Sequence, residues 1–213
     1  MMNVIGVLKS YCMKIWQNQK NRILIRDVLF LGIATVVFHF IYWYGNMNEW
    51  IFGPFTQTVY DFFRHLAFNL SLIPCKLFLN KPFDIYDTTY YFYQITSDGV
   101  KMYVQSMDIN IDCSGVKQLL QFLLIMILCR GILWQRLVYW LIGCVVILFF
   151  NAVRIFLTTL LFINNPDMFQ QTHDWIARPT MYLIIFCMWV IWITYFSENK
   201  QKSTKNENPS VIK

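Results

Sequence analysis

Four stretches of this 213-residue chain, residues 28–44, 115–133, 137–163 and 179–196, each run 17 residues or longer with at most two charged side chains. As helices rising 1.5 Å per residue, such runs approach or exceed the ~30 Å of a hydrocarbon core. Inside lipid every backbone polar group must find its partner within the protein, which restricts spanning segments to helices and closed barrels. Only 14% of the residues are charged, against roughly 25% in an ordinary soluble domain, and 57% are hydrophobic. With 8 Gly, 6 Pro and no internal repeat, neither a fibrous nor a disordered chain fits. The expected fold class is an all-α integral membrane protein with about four transmembrane helices.

The net charge of +6 could suggest a nucleic-acid partner, but placement matters more than the sum. Residues 1–26 carry Lys9, Lys14, Lys20, Arg22 and Arg26 and no acid, and Lys200, Lys202, Lys205 and Lys213 dominate the tail. The turn at residues 130–136 adds Arg130 and Arg136. By the positive-inside rule all three segments are expected on the cytoplasmic side. The aromatics lie in or beside apolar runs rather than on a wettable stacking platform, so no nucleic-acid partner is expected and membrane lipids are. No cleavable leader is expected either, since a basic segment precedes the first apolar run. That run ends in Tyr42, Trp43 and Tyr44, as an interfacial aromatic belt does.

Residues 1–26 thus read as a cytoplasmic basic segment, 27–196 as one multi-pass membrane domain, and 197–213 as a disordered cytoplasmic tail. Within the domain, residues 54–79 are apolar on average but broken by Asp61, Arg64, His65 and Asn69, the pattern of an interfacial or re-entrant helical segment. Asp61, Arg64 and His65 read as a solvated or self-paired face. Between residues 83 and 112 the period changes to two, with bulky residues alternating around Thr96, Ser97, Asp98 and Gly99, which predicts a small extracytoplasmic β-hairpin.

The chemistry is expected at the outer ends of the spans. Cys113 precedes Arg130 by 17 residues, ~26 Å of helix, and Arg154 follows Arg136 by 18, ~27 Å, so both reach the same outer level. Cys113 in Asp112-Cys113-Ser114-Gly115 is expected at a helix start, where N–H groups, the dipole and nearby Lys117 favour a thiolate. A guanidinium within an apolar helix costs roughly 2.5–3.5 kcal/mol on insertion scales, so Arg154 is expected to face a cavity or partner. Asn151, Arg154 and Thr158 stand at i, i+3 and i+7, one polar stripe along that helix. His173 comes just before the last span. A thiol, an imidazole and a guanidinium in one pocket would supply a nucleophile, a proton-transfer group and an oxyanion stabiliser. His39 and His65 have nothing nearby that points to Cys113. The six cysteines include no Cys-x-x-Cys pair and no zinc spacing, so neither metal nor cofactor is expected.

Cys113-Ser114-Gly115 opening a span, Asn151-Ala152-Val153-Arg154-Ile155 within the next, and His173 ahead of the last resemble the three signatures of the exosortase/archaeosortase family. The likeness extends from about residue 100 to 196. It implies a multi-pass cysteine transpeptidase or peptidase of the cell membrane that recognises the C-terminal sorting signals of exported proteins, with its active site facing outward. It also implies Cys113 as nucleophile, His173 as acid/base and Arg154 as electrostatic stabiliser, supported by Ser114, Gly115, Lys117 and Asn151. Two alternatives stand beside this reading: a non-enzymatic scaffold or transporter subunit with a polar cavity lined by Asn151 and Arg154, and thiol–disulfide exchange between Cys75 and Cys113.

Overall fold

The computed structural model describes residues 19–129, 131–168, 171, 175–176 and 178–197. The chain falls into two compact units, Met1–Trp50 and Ile51–Lys213. The first holds helix α1, Gln19–Tyr44, whose apolar part is Ile25–Tyr44. It ends at Gly45 and Asn46, the latter left-handed at φ 47°, and a short helix α2, Met47–Phe52, follows.

In the second unit a 3-10 turn at Gly53–Phe55 leads into helix α3, Thr56–Phe78. Strands β1 (Phe83–Tyr86), β2 (Thr89–Ile95) and β3 (Lys101–Asp108) come next. A 3-10 turn, Ile111–Cys113, then opens onto helix α4, Val116–Leu128. Helix α5 is Leu133–Asn164, and helix α6, Arg178–Trp192, closes in a π turn at Ile193–Ser197.

Among the described residues three helical segments are long and apolar enough to cross a bilayer: Ile25–Tyr44, Leu133–Asn164 and Arg178–Phe196. The span expected at residues 115–133 is a helix of only 13 residues, α4, about 20 Å long. Its shortness is compensated by enclosure, for Val116, Gln118, Leu119, Gln121, Phe122, Ile125 and Met126 bury most of its circumference. At its end Arg136 Nη1 donates to the carbonyls of Met126, Ile127 and Cys129 at 3.4, 3.0 and 3.0 Å. One cation thus satisfies the orphan acceptors that a helix end would otherwise leave bare in an apolar setting.

Helix α5 buries Gly143, Ile147, Asn151, Ile155 and Thr159 at four-residue steps, while Leu141, Val145, Phe149 and Leu157 face out. A helix apolar outside, with its polar side chains gathered among the buried ones, inverts the soluble pattern as a lipid surrounding favours. Gly143 marks a close helix crossing: a Cβ there would collide with the Phe122 ring of α4 and lie 2.6 Å from the Met188 methyl of α6. Gly143→Val should therefore destabilise the bundle by about 1–3 kcal/mol. The detergent-solubilised protein would melt several degrees lower, at about 2–4 °C per kcal/mol. An unchanged melting temperature would mean that this crossing is looser than described.

The expected hairpin is a three-stranded antiparallel sheet in the order β1-β2-β3, because Phe83–Tyr86 adds an edge by pairing with Thr89–Phe92. Four residues behind Pro82 are too few to announce a strand by alternation. Tyr90, Phe92, Met107 and Ile109 on one face pack with Ala67, Phe68 and Cys75 of α3 and Ile155 and Ile163 of α5. The Tyr90 and Ser71 hydroxyls share a buried hydrogen bond of 2.9 Å. The opposite face is wet: Lys101 Nζ lies 2.8 Å from Asp84 Oδ2, and Tyr103 donates to that same oxygen at 2.8 Å.

Residues 54–79 behave as an amphipathic helix. In α3, Tyr60, Ala67, Phe68, Ser71 and Cys75 form the buried stripe. Arg64 pairs with Asp61 at 3.5 Å and with Asp87 at 3.4 Å, and His65 Nε2 lies 3.5 Å from Asp87. The polar trio is thus a brace between α3 and the β1–β2 turn.

Candidate active site

The Cys113 turn is built by its own sequence. Asn110 leaves β3 in an extended conformation, and its side chain accepts from the Asp112 amide at 2.9 Å, bending the chain into Ile111–Cys113. Cys113 N bonds Asn110 O and Ser114 N bonds Ile111 O, each at 3.0 Å. Gly115, at φ +82°, then swings the backbone into α4 through a left-handed conformation that side chains disfavour. The helix therefore starts at Val116, one residue after the expected Gly115, and Cys113 stands in the 3-10 turn that precedes it.

Asn151 of α5 reaches this turn from the side. It is fully buried, and its Nδ2 donates to the Cys113 carbonyl at 2.8 Å. Glycine at 115 makes that approach possible, since a Cβ there would stand 3.2 Å from the same nitrogen. One turn further along α5, Arg154 is 8% exposed, and its guanidinium stands close enough to Cys113 for its charge to act on the thiol. Thr158 completes the stripe and is buried too, its hydroxyl returned to the Arg154 carbonyl at 2.6 Å. The stripe read from the sequence therefore faces inward, with its central cation near enough to the thiol for their charges to interact.

Burial pushes the Cys113 thiol above its ordinary pKa, because the side chain packs against the core of α3, the sheet and α5. The Arg154 charge pulls it back down. Asp112 opposes that pull, and Arg178 reinforces it. This reverses the expected sign: desolvation by distant elements outweighs a dipole that is a full turn away. The outcome is a thiol that is protonated at rest beside a guanidinium ready to receive negative charge.

Ser114 is buried, and its Oγ accepts from Val116 N at 3.4 Å, a local brace for the turn. Lys117, in the first turn of α4, feels both Asp112 and Arg178. Arg178, the first residue of α6, is not among the residues the sequence points to, because the apolar run begins only at Pro179. An arginine abutting a span that begins opposite Cys113 was the available signal. His173 lies outside the described residues. His65 is engaged with Asp87. Cys75 is a free thiol, buried beside Tyr90, and Cys113 is free as well. Asn151 fills its space against the Cys113 turn.

A family model described as Transmembrane exosortase (Exosortase_EpsH) matches residues 1–193, a stretch that includes Cys113, Asn151, Arg154 and His173. Neither the curated proteins nor the solved structures yielded a match. The match takes in both compact units almost whole and agrees with the apolar helices: the chain belongs to the transmembrane exosortase family.

Proposed function

We propose that the protein is a membrane-embedded cysteine transpeptidase or peptidase that cleaves the C-terminal sorting signal of exported proteins through a thioester on Cys113. The observation that carries this reading is a buried guanidinium, Arg154, standing near the Cys113 thiol one helical turn from Asn151, which holds the Cys113 turn by its carbonyl. An arginine buried in an apolar bundle with a thiol as its partner is an expensive arrangement that packing alone does not require.

In this mechanism His173 takes the Cys113 proton as the sulfur attacks the scissile carbonyl carbon. Negative charge passes to the carbonyl oxygen, where Arg154 can meet it. The carbon–nitrogen bond then breaks, the imidazolium returns its proton to the leaving amine, and the acyl group remains on sulfur as a thioester. Water or an acceptor amine attacks next, with His173 taking the proton of that nucleophile, and the thiol is released. Termini in the cytoplasm and a site facing outward complete the arrangement.

A membrane-impermeant maleimide applied to intact cells should modify Cys113 and stop processing of a client tail in parallel. Mapping the labelled peptide identifies the site. Full modification of Cys113 with processing untouched would sink the peptidase reading and favour a scaffold in which Asn151 and Arg154 serve another end.

A further inference from the structure

Strand β3 is an edge strand protected by little beyond a single bulge and the charges at its two ends. It is eight residues long, contains no proline, and has its charges only at its two ends, Lys101 and Asp108. Met102, Tyr103, Val104 and Ser106 are all exposed. The other edge, β1, is blunted by its length of four residues and by Pro82 in front of it. Natural sheets seldom leave a long, uncharged edge open, because it templates pairing with another chain.

Among the described residues, the register shows which backbone groups of β3 lie outside the ladder. Ile109 N bonds Thr88 O at 3.1 Å, and Tyr93 N on the other side of β2 bonds Pro82 O at 3.2 Å. With Tyr90 opposite Met107 and Phe92 opposite Gln105, antiparallel alternation directs the amides and carbonyls of Gln105, Met107 and Ile109 to β2. Those of Ser106 and Asp108 point away from the sheet. Val104 is the extra residue of a bulge, lying between the pairs Phe92–Gln105 and Tyr93–Tyr103. Bulges of this kind re-aim a strand near a functional site.

This open edge leads to the thiol. Extended backbone continues through Asn110 into the Cys113 turn, so four residues, about 13 Å at 3.3 Å per residue, separate Ser106 from Asn110. A scissile amide must be presented in extended form, and an extended segment can gain backbone hydrogen bonds only where amides and carbonyls are free.

We infer that the outer edge of β3, centred on Ser106 and Asp108, binds the extended segment of the client upstream of its membrane helix as an added strand and so delivers the scissile bond to Cys113. This rests on the peptidase reading above. A client with its cargo outside and its helix in the bilayer runs parallel to β3. Backbone pairing sets the approach, so the edge holds about four to six client residues with little dependence on their side chains.

Ser106→Pro tests this without touching the ladder to β2, because the amide it removes points outward. The probe is a folded reporter fused to the C-terminal tail of an exported protein from the same source, with an extended segment, a hydrophobic helix and a basic end. Processing should slow at least about tenfold, in keeping with one or two lost backbone hydrogen bonds, while maleimide labelling of Cys113 keeps its wild-type rate. A second measurement does not depend on catalysis. In a Cys113→Ala background, Ser106→Cys should form disulfides with cysteines scanned through the tail at every second residue. Wild-type processing by Ser106→Pro overturns the inference. So do cross-links that repeat every three to four residues, cross-links that are absent, or Ser106→Cys pairs between two copies of this chain. If alternate cross-links form but the wild type and Cys113→Ala leave the tail equally intact, the edge stands and the peptidase reading falls.

Discussion

Cys113→Ala is expected to abolish processing of a client tail, lowering turnover by on the order of 10⁶-fold, the scale on which nucleophile removal acts in triad enzymes. The fold should survive. The thiol is half-buried and small, and its backbone bonds to Asn110 and Asn151 do not involve the sulfur. A stability change of about 1 kcal/mol or less is expected. Blotting the reporter in membranes of cells carrying either version reads the effect, with the melting temperature as the control. Full-length tail in the variant beside a cleaved tail in the wild type is the predicted pattern.

Arg154→Gln carries the second-largest effect. Losing one donor from an oxyanion site costs about 10²–10³ in turnover, and here the same group also favours the thiolate. The sign follows from charge: without the cation the Cys113 thiol keeps its proton to higher pH, beyond the elevation burial already imposes. The pH profile of iodoacetamide reaction at Cys113 should move upward, and the rate at neutral pH should fall. Arg154→Lys should restore part of the charge effect but not the planar donor geometry, giving intermediate values. A profile unmoved by Arg154→Gln would mean that the guanidinium does not act on the sulfur.

Much of this was legible in one dimension, where a local period carried it. Asn151, Arg154 and Thr158 share a helix face whatever surrounds them, and the cost of a charge in lipid says which way that face turns. Motif order along the chain was equally local. What escaped depends on residues remote in sequence or on single backbone angles. Cys113 stands in a 3-10 turn apart from the helix because Gly115 adopts φ +82° between them, and nothing in Cys-Ser-Gly announces that break. The thiol is raised rather than lowered because α3, the sheet and α5 close over it, a desolvation that no tripeptide encodes. Strand β1 was missed for its brevity. The 13-residue α4 was drawn too long because apolar residues around Arg130 continue past its end, where Arg136 caps it.

The most direct measurement is peptide mass spectrometry of Cys113 from the full-length protein, taken while it is processing the reporter tail and quenched with acid. The account predicts a fraction of the Cys113 peptide heavier by the acyl fragment of the client, released by neutral hydroxylamine and missing in Cys113→Ala. A tail cleaved at its normal rate while Cys113 stays unmodified at every time point, or an acyl fragment found on another residue, would contradict it.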